Sequence, residues 1–156
     1  MSDLVTVGWR EWVAFPELGL PAVRCKVDTG AATSALHAHN VDVVDRDGER
    51  WARFTVHPFF RTERIAVRCE APVVDEREVT SSSGHTEARI VVGVMLRLGV
   101  RSDAPEWPVE VTLTDRRKMR FPMLLGREAM AGRVLVDAGA SYVLGRPERP
   151  GAFYEG

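Results

Sequence analysis

Apolar and polar residues alternate along much of this chain, which is the pattern of half-buried β-strands. The run 22–27 shows the alternation clearly, because three apolar side chains are separated by Arg24 and Lys26. A polar linker, 45–49, contains Gly48 and predicts a hairpin between the strand-like runs on either side of it. The predicted strands are 22–27, 41–44, 51–57, 65–69, 77–80, 88–98 and 109–114.

Two stretches have the character of a helix. The first, 32–39, is weak, whereas the second, 127–131, is short and ends at Gly132. Many short strands with one C-terminal helical turn predict an all-β barrel or sandwich. The 156 residues contain no Gly/Ser linker or low-complexity tract, so we expect 1–156 to form a single domain.

Composition excludes several classes of protein. The chain is 45% hydrophobic and 28% charged, which is typical of a soluble globular protein and not of a disordered tail or a disulfide-framework miniprotein. No apolar run reaches the roughly 20 residues of a membrane span. Without a visible signal peptide, we expect a cytoplasmic protein whose Cys25 and Cys69 are reduced and buried. The net charge of −1 argues against a nucleic-acid or membrane partner.

The candidate chemistry begins with Asp28-Thr29-Gly30-Ala31, which directly follows the clearest predicted strand. It places a carboxylate on a tight turn, where Gly30 lets another backbone approach and the Thr29 hydroxyl can fasten the turn. Taken alone, the motif also fits an ordinary Asx-type turn. A second motif consists of two large apolar residues, a glycine and an arginine that lead into the predicted helix: Leu124-Leu125-Gly126-Arg127.

In this order the two motifs resemble those of the retropepsins, the retroviral-type aspartic peptidases, in which the apolar pair packs beneath the Asp-Thr-Gly loop. The similarity extends from about residue 7 to residue 144 and leaves 145–156 as a C-terminal tail. It resembles one bacterial family, the RimB-like retropepsins, often labelled ATP-dependent zinc proteases and associated with RimK-type ATP-grasp glutamate ligases. The runs that carry this resemblance are 7–13, 18–21, 26–31, 33–38 and 121–127.

The resemblance implies a closed retropepsin-like barrel with one short C-terminal helix and an aspartic endopeptidase activity without a cofactor. Such a peptidase needs two carboxylates about 3 Å apart that share one proton. The chain supplies one Asp-Thr-Gly and is too short for a second lobe, so the expected active form is a homodimer with one Asp28 from each subunit. The resemblance further implies that Thr29 braces the two loops and that the Gly30 carbonyl contacts the substrate backbone.

The resemblance also implies a substrate class and a partner. Peptide bonds in or next to glutamate-rich tails are the expected targets, such as those of a glutamate-tailed ribosomal protein, with a functional link to the ligase that adds them. A non-catalytic dimeric peptide-binding module remains an alternative.

Retropepsins close a hairpin flap over the substrate, and a polar hairpin tip occurs here before the long strand 88–98. The candidate flap residues are Ser82, Ser83, Gly84 and His85; a plain surface hairpin is the alternative.

Arg127 lacks the acidic partner that viral relatives place at the position of Ala32. It therefore either pairs with another acid or faces the substrate, in which case Arg127→Ala would slow acidic peptides far more than neutral ones.

Two further features are weaker candidates. Asp137-Ala138-Gly139 echoes the Asp28 motif, but it follows Gly126 too closely for a second lobe and is interpreted as a strand and turn. A zinc-dependent peptidase is the least favoured alternative, since the chain has no His-Glu-x-x-His and no phosphate-binding loop. The only near-cluster is His37 and His39 with Asp42, while His57 and His85 are isolated in sequence, so no metal site is predicted.

Overall fold

The computed structural model describes residues 4–59, 62, 64–80, 83–115 and 120–155. Within these ranges the chain is almost entirely β-structure, with one short α-helix, α1 (Arg127–Met130), and two 3₁₀ turns (Pro16–Leu18 and Pro150–Tyr154). The strands are β1 (Val5–Val7), β2 (Arg10–Phe15), β3 (Leu20–Asp28), β4 (Ser34–His37), β5 (His39–Arg46), β6 (Glu49–Val56), β7 (Val67–Thr80), β8 (Thr86–Arg97), β9 (Glu106–Thr114), β10 (Met123–Gly126) and β11 (Val134–Val136).

Nine of the strands form one sheet in the order β2-β3-β10-β4-β9-β8-β7-β6-β5, and β1 pairs with β11 in a separate parallel ribbon. β2 also pairs with β8 through the residues Ala14 and Arg97, which curls one end of the large sheet back on itself. The predicted all-β class with one short C-terminal helix is therefore confirmed. Closure of the barrel stays a prediction, because a single residue pair joins β2 to β8.

The alternation of apolar residues places one face of each strand in the core, as a period of two requires. On β6 and β9 the apolar faces that the sequence predicts are buried: Ala52, Phe54, Val56, Val109, Val111 and Leu113. Cys25 and Cys69 are free thiols in this core, as predicted. Burial raises the pKa of each to about 12, so both are protonated and unreactive in the folded protein.

The predicted hairpin at 45–49 is confirmed. β5 and β6 are joined by Asp47 and Gly48, whose φ angles of 53° and 84° both lie in the left-handed region. A two-residue hairpin turn whose twist matches that of the flanking strands requires two successive positive φ angles. An Asp-Gly pair adopts them at a low conformational cost.

The weak helix predicted over 32–39 is wrong. Ser34–His37 forms β4, which pairs in parallel with β9 and antiparallel with β10. Hydrogen bonds to two neighbouring strands outweigh a marginal local preference for helix.

The second predicted helix is confirmed as α1, which is followed by Gly132 at a φ of 77°. No helix within the described residues is long and apolar enough to cross a bilayer.

Candidate active site

Asp28 is the last residue of β3, and the second sequence motif lies directly beside it. β10 is inserted between β3 and β4, the two strands that flank the Asp28 turn. In the parallel pairing of β3 with β10, Val27 lies opposite Leu125 and Asp28 lies opposite Gly126. The fold thus brings together two motifs that are far apart in the sequence.

The turn after β3 holds the Asp28 side chain in place. The Gly30 N–H donates to Asp28 Oδ1 at 2.9 Å, and the Ala31 N–H donates to the Asp28 carbonyl at 3.2 Å. Asp28 is half-buried, while Thr29 and Gly30 are exposed. A carboxylate has two oxygens, so one can be fixed by the turn while the other receives a proton or a water molecule.

Gly126 is required where it stands because the backbone of the Asp28 loop passes directly over it. A Cβ at this position would lie 2.5 Å from the Thr33 carbonyl oxygen. Because that oxygen belongs to the backbone, no side-chain movement could relieve the clash. The first residues of α1 also bind this loop through two backbone hydrogen bonds. The Arg127 N–H donates to the Ala31 carbonyl at 2.8 Å, and the Glu128 N–H donates to the Ala32 carbonyl at 3.1 Å. Leu125 is fully buried below.

Ser34 fixes Gly126 from the other side. Its hydroxyl oxygen accepts the Gly126 N–H at 3.0 Å, and the residue is 2% exposed. Ser34→Ala removes the acceptor and leaves a buried N–H unpaired, so we expect the free energy of unfolding to fall by about 1–3 kcal/mol. Urea denaturation measures the change.

Ser141→Ala is the matched control for this substitution. Ser141 is exposed and its hydroxyl accepts a bond from the Arg10 side chain at 3.2 Å, so its loss should change stability by less than about 0.5 kcal/mol. Equal effects of the two substitutions would contradict a bracing role for Ser34.

Arg127 has a partner that neither sequence-based alternative names. In the described part of the chain its Nη1 donates to the Gly30 carbonyl at 3.2 Å, and no carboxylate there forms an ion pair with it. The side chain therefore spans from α1 to the tip of the Asp28 turn. A carbonyl oxygen has two lone pairs, so this bond leaves Gly30 able to accept a second donor.

The hairpin predicted before the long strand is present. β7 and β8 pair antiparallel up to Thr80 and Thr86, and Ser83, Gly84 and His85 lie exposed at its tip. Ser82 lies outside the described residues. The hairpin is thus confirmed as a structure, and its role as a flap stays a prediction.

The Asp137 motif follows β11 as a turn, which confirms its interpretation as a strand and turn. It repeats the geometry of the Asp28 turn, since the Gly139 N–H donates to Asp137 Oδ1 at 3.2 Å. Trp9 connects the two turns: its N–H donates to the Ala140 carbonyl, and its own carbonyl accepts the N–H of Val27, each at 2.8 Å.

The histidines assemble differently from the near-cluster seen in the sequence. The rings of His37 and His39 are 4.6 Å apart, and His39 Nδ1 lies 3.5 Å from Asp115 Oδ1. His57 is not isolated, because its ring lies 5.3 Å from that of His39. Asp42 is not a member, because it pairs with the Arg53 side chain at 2.6 Å instead.

Burial is the main influence on His37, which is 3% exposed. It lowers the pKa of His37 below its ordinary value, and the charge of His39 acts in the same direction while that of Asp115 opposes it. The cluster stands at the end of β4, whereas Ser34 and the Asp28 loop stand at its beginning.

Comparison with known proteins identifies the family. The family model for RimB-like proteins, described as the retropepsin-like aspartic endopeptidase RimB, matches residues 6–147. The chain belongs to the RimB-like family. The match covers the Asp28 turn, β10 and the Asp137 turn, and it confirms the resemblance seen in the two sequence motifs.

Relatives of the RimB-like chain include parts of much longer proteins. A probable alpha-L-glutamate ligase from Parasynechococcus marenigrum is 49% identical over 145 residues, which cover 93% of this chain and 30% of that protein. One from Shewanella pealeana is 46% identical over 146 residues, covering 93% and 31%. The chain therefore spans about a third of the length of these curated relatives.

A solved structure supports the fold of the RimB-like chain. The crystal structure of a Legionella pneumophila protein of unknown function matches with a TM-score of 0.73 at 26% identity. The match covers 90% of this chain and 98% of that one, so the architecture described above is shared over nearly its whole length.

Proposed function

We propose that the chain is an aspartic endopeptidase that works as a homodimer, with one Asp28 from each subunit. The observation that carries this proposal is the arrangement around Asp28. Its carboxylate is held in a turn by Gly30, and the turn is clamped from below by Gly126 and from the side by Arg127. A clamped carboxylate on an exposed turn is suited to general acid–base chemistry, because its position is set before the substrate arrives.

A second copy supplies the second carboxylate in this proposal. Thr29 and Gly30 are exposed in the single chain, so the turn is available to meet its counterpart across a two-fold axis. Two carboxylates at about 3 Å cannot both carry a charge, so the pair in this proposal holds one proton. Closure of the retropepsin-like barrel and a covering role for the β7–β8 hairpin are parts of the same proposal.

The reaction then needs no group beyond the two carboxylates and a water molecule. The ionised Asp28 accepts a proton from water as the water oxygen attacks the carbonyl carbon of the peptide. The protonated Asp28 donates its proton to the carbonyl oxygen, which gives a neutral tetrahedral intermediate. When this intermediate breaks down, the protonated carboxyl gives its proton to the leaving nitrogen as the C–N bond breaks. The ionised carboxylate takes a proton from a hydroxyl of the intermediate, which leaves a carboxylic acid and restores the proton shared by the pair.

Glutamate-rich tails are the substrates we propose. The support is the set of relatives in which a region 45–49% identical to this chain forms part of a protein named a probable alpha-L-glutamate ligase. The matched region and the part named for glutamate ligation belong to one polypeptide in these relatives, which fits a peptidase that acts on the tails a ligase adds. A cytoplasmic location and a functional link to such a ligase are parts of the same proposal.

Two measurements on the full chain test the proposal together. Light scattering over a wide range of concentrations should give twice the 17.4 kDa mass of one chain. Incubation with a peptide that ends in several glutamates should yield fragments that mass spectrometry assigns to cleavage in or next to the tail. A persistent monomer without cleavage would overturn the proposal, and a dimer that binds the peptide intact would indicate the binding-module alternative.

Arg127 offers a narrower prediction. Because its side chain bonds to the Gly30 carbonyl, Arg127→Ala should loosen the Asp28 turn and lower turnover of acidic and neutral peptides by a similar factor, about tenfold to a hundredfold. Steady-state kinetics on a matched pair of peptides measures both losses. Arg101→Ala is the control, since Arg101 is exposed and pairs with Asp103. A loss confined to the acidic peptide would instead make Arg127 a substrate-binding residue.

A further inference from the structure

We propose that His37, His39 and Asp115 form a binding site for a single divalent transition-metal ion, with zinc as the best match. Each of the three offers one ligand atom, and these atoms all lie within 4.8 Å of one another. The site is separate from the Asp28 turn, and the proposal does not depend on the peptidase activity.

The separations suit a metal ion of this size. Zinc bonds to histidine nitrogen at about 2.0–2.1 Å, so two ligands on a tetrahedral ion are about 3.4 Å apart. His39 Nδ1 and Asp115 Oδ1 are already at 3.5 Å. The widest separation in the set is below 4.8 Å, so the donors need to approach by little more than an ångström, which small side-chain rotations provide.

Backbone hydrogen bonds hold the main chain at His37 and at the residues next to His39 and Asp115. His37 lies opposite Thr114 in the pairing of β4 with β9, and Asp115 is the next residue along. The Ala38 N–H, between the two histidines, donates to the Thr114 carbonyl at 2.9 Å, and the His37 N–H donates to the Pro122 carbonyl at 2.8 Å. The sheet therefore brings the main chain of the three residues together before any ion arrives, which lowers the entropic cost of binding.

His57 is the next donor beyond these three. Its Nδ1 lies 3.3 Å from the Ile65 carbonyl, which favours the tautomer with the proton on Nδ1 and leaves Nε2 with a free lone pair. A histidine that donates one ring N–H to a carbonyl is the arrangement commonly found beside metal ions. Its ring contacts that of His39, so His57 either supports the ligand set or completes it.

The donor set decides the class of ion. Two imidazoles and one carboxylate suit zinc and its neighbours nickel, copper and cobalt, whereas magnesium and calcium require a shell of oxygens. The ion would join the β4–β5 corner to the end of β9. We therefore assign it a stabilising role at the end of β4 away from Ser34, and no step of peptide cleavage is assigned to it.

Binding of zinc alone to the metal-free full chain tests this inference. Isothermal titration should show one ion per chain, and cobalt in place of zinc should give the visible absorption bands of a site with nitrogen ligands. His39→Ala and Asp115→Asn should each weaken zinc binding at least about tenfold. These two residues are better test positions than His37, because His37 is buried and its replacement risks unfolding.

Two controls separate this site from others. His85→Ala removes an exposed histidine on the β7–β8 hairpin and should leave zinc affinity unchanged. Asp28→Asn should also bind zinc normally, so failure of the peptidase proposal and failure of the metal proposal are distinguishable. The inference is overturned if zinc does not bind stoichiometrically, or if folded His39→Ala and Asp115→Asn chains bind it as tightly as the unaltered chain does.

Discussion

Asp28→Asn is expected to lower peptide turnover by about a thousandfold or more, the largest effect of any substitution proposed for catalysis. Asparagine has nearly the shape of aspartate and keeps a side-chain oxygen that can accept the Gly30 N–H, so the turn should survive. It can neither take a proton from water nor carry the proton that the pair shares. In a homodimer both carboxylates are lost at once, so no intact pair remains.

The chain contains its own matched control for this experiment. Asp137 caps a turn of the same geometry, with the Gly139 N–H on its Oδ1 at 3.2 Å. Asp137→Asn therefore makes the same chemical change in the same local structure, and it should leave turnover within about twofold of the unaltered chain. Equal losses in both variants would mean that Asp28 acts through the turn and not through proton transfer.

Binding separates catalysis from recognition. Under the proposed mechanism Asp28→Asn should hold a glutamate-tailed peptide with nearly unchanged affinity and should keep the molar mass of the unaltered chain, because the altered atom serves proton transfer. Fluorescence anisotropy and light scattering measure these two properties. A variant that cleaves normally would remove Asp28 from the mechanism altogether.

Local patterns predict the parts of this fold that depend on neighbouring residues in the sequence. The alternation in β3 and the Asp47-Gly48 turn are both visible in short windows, and both are confirmed. The stretch 32–39 fails as a helix because its partners, β9 and β10, come from much later in the chain. Pairing between distant strands leaves no signal in a short window, so a weak local preference misleads there.

The candidate sites show the same division. The Asp28 and Gly126 motifs are recognisable because each has a distinctive order of residue types, and the pairing of β3 with β10 explains why both are present. Only part of the histidine cluster can be predicted from the sequence. Two residues apart on an extended chain, His37 and His39 are expected on the same face, but nothing in the sequence points to Asp115. Asp42 is closer in sequence, yet its side chain pairs with Arg53.

Glu11 is the important residue that sequence reasoning missed. It is a single acid beside the apolar run that ends β2, and it is fully buried. Its Oε2 accepts the Gly8 N–H at 2.7 Å and the Val143 N–H at 2.8 Å, and its Oε1 accepts the Leu144 N–H at 3.2 Å. One carboxylate thus ties the segment after the Asp137 turn to the segment before β2. An acidic residue within a largely apolar strand was the available signal.

Glu11→Ala should therefore have the largest effect on stability. It leaves three backbone N–H groups without an acceptor, at about 1–3 kcal/mol each when water cannot reach them. The Gly8 N–H lies in the buried interior while the other two are part-buried, so water relieves some of the cost and we expect the free energy of unfolding to fall by about 3–5 kcal/mol. Urea denaturation measures this loss.

Glu17→Ala is the control, because Glu17 is exposed and accepts one backbone N–H, from Met95 at 2.8 Å. Its loss should cost less than about 1 kcal/mol, since water takes the place of the carboxylate. Glu11→Gln provides a second test if Glu11→Ala does not fold. An amide keeps one oxygen for Gly8 and Val143 but turns an NH₂ group toward the Leu144 N–H, so its stability should lie between those of the unaltered chain and Glu11→Ala. If Glu11→Gln and Glu17→Ala were equally mild, the three bonds to Glu11 would not be what holds the C-terminal segment against β2.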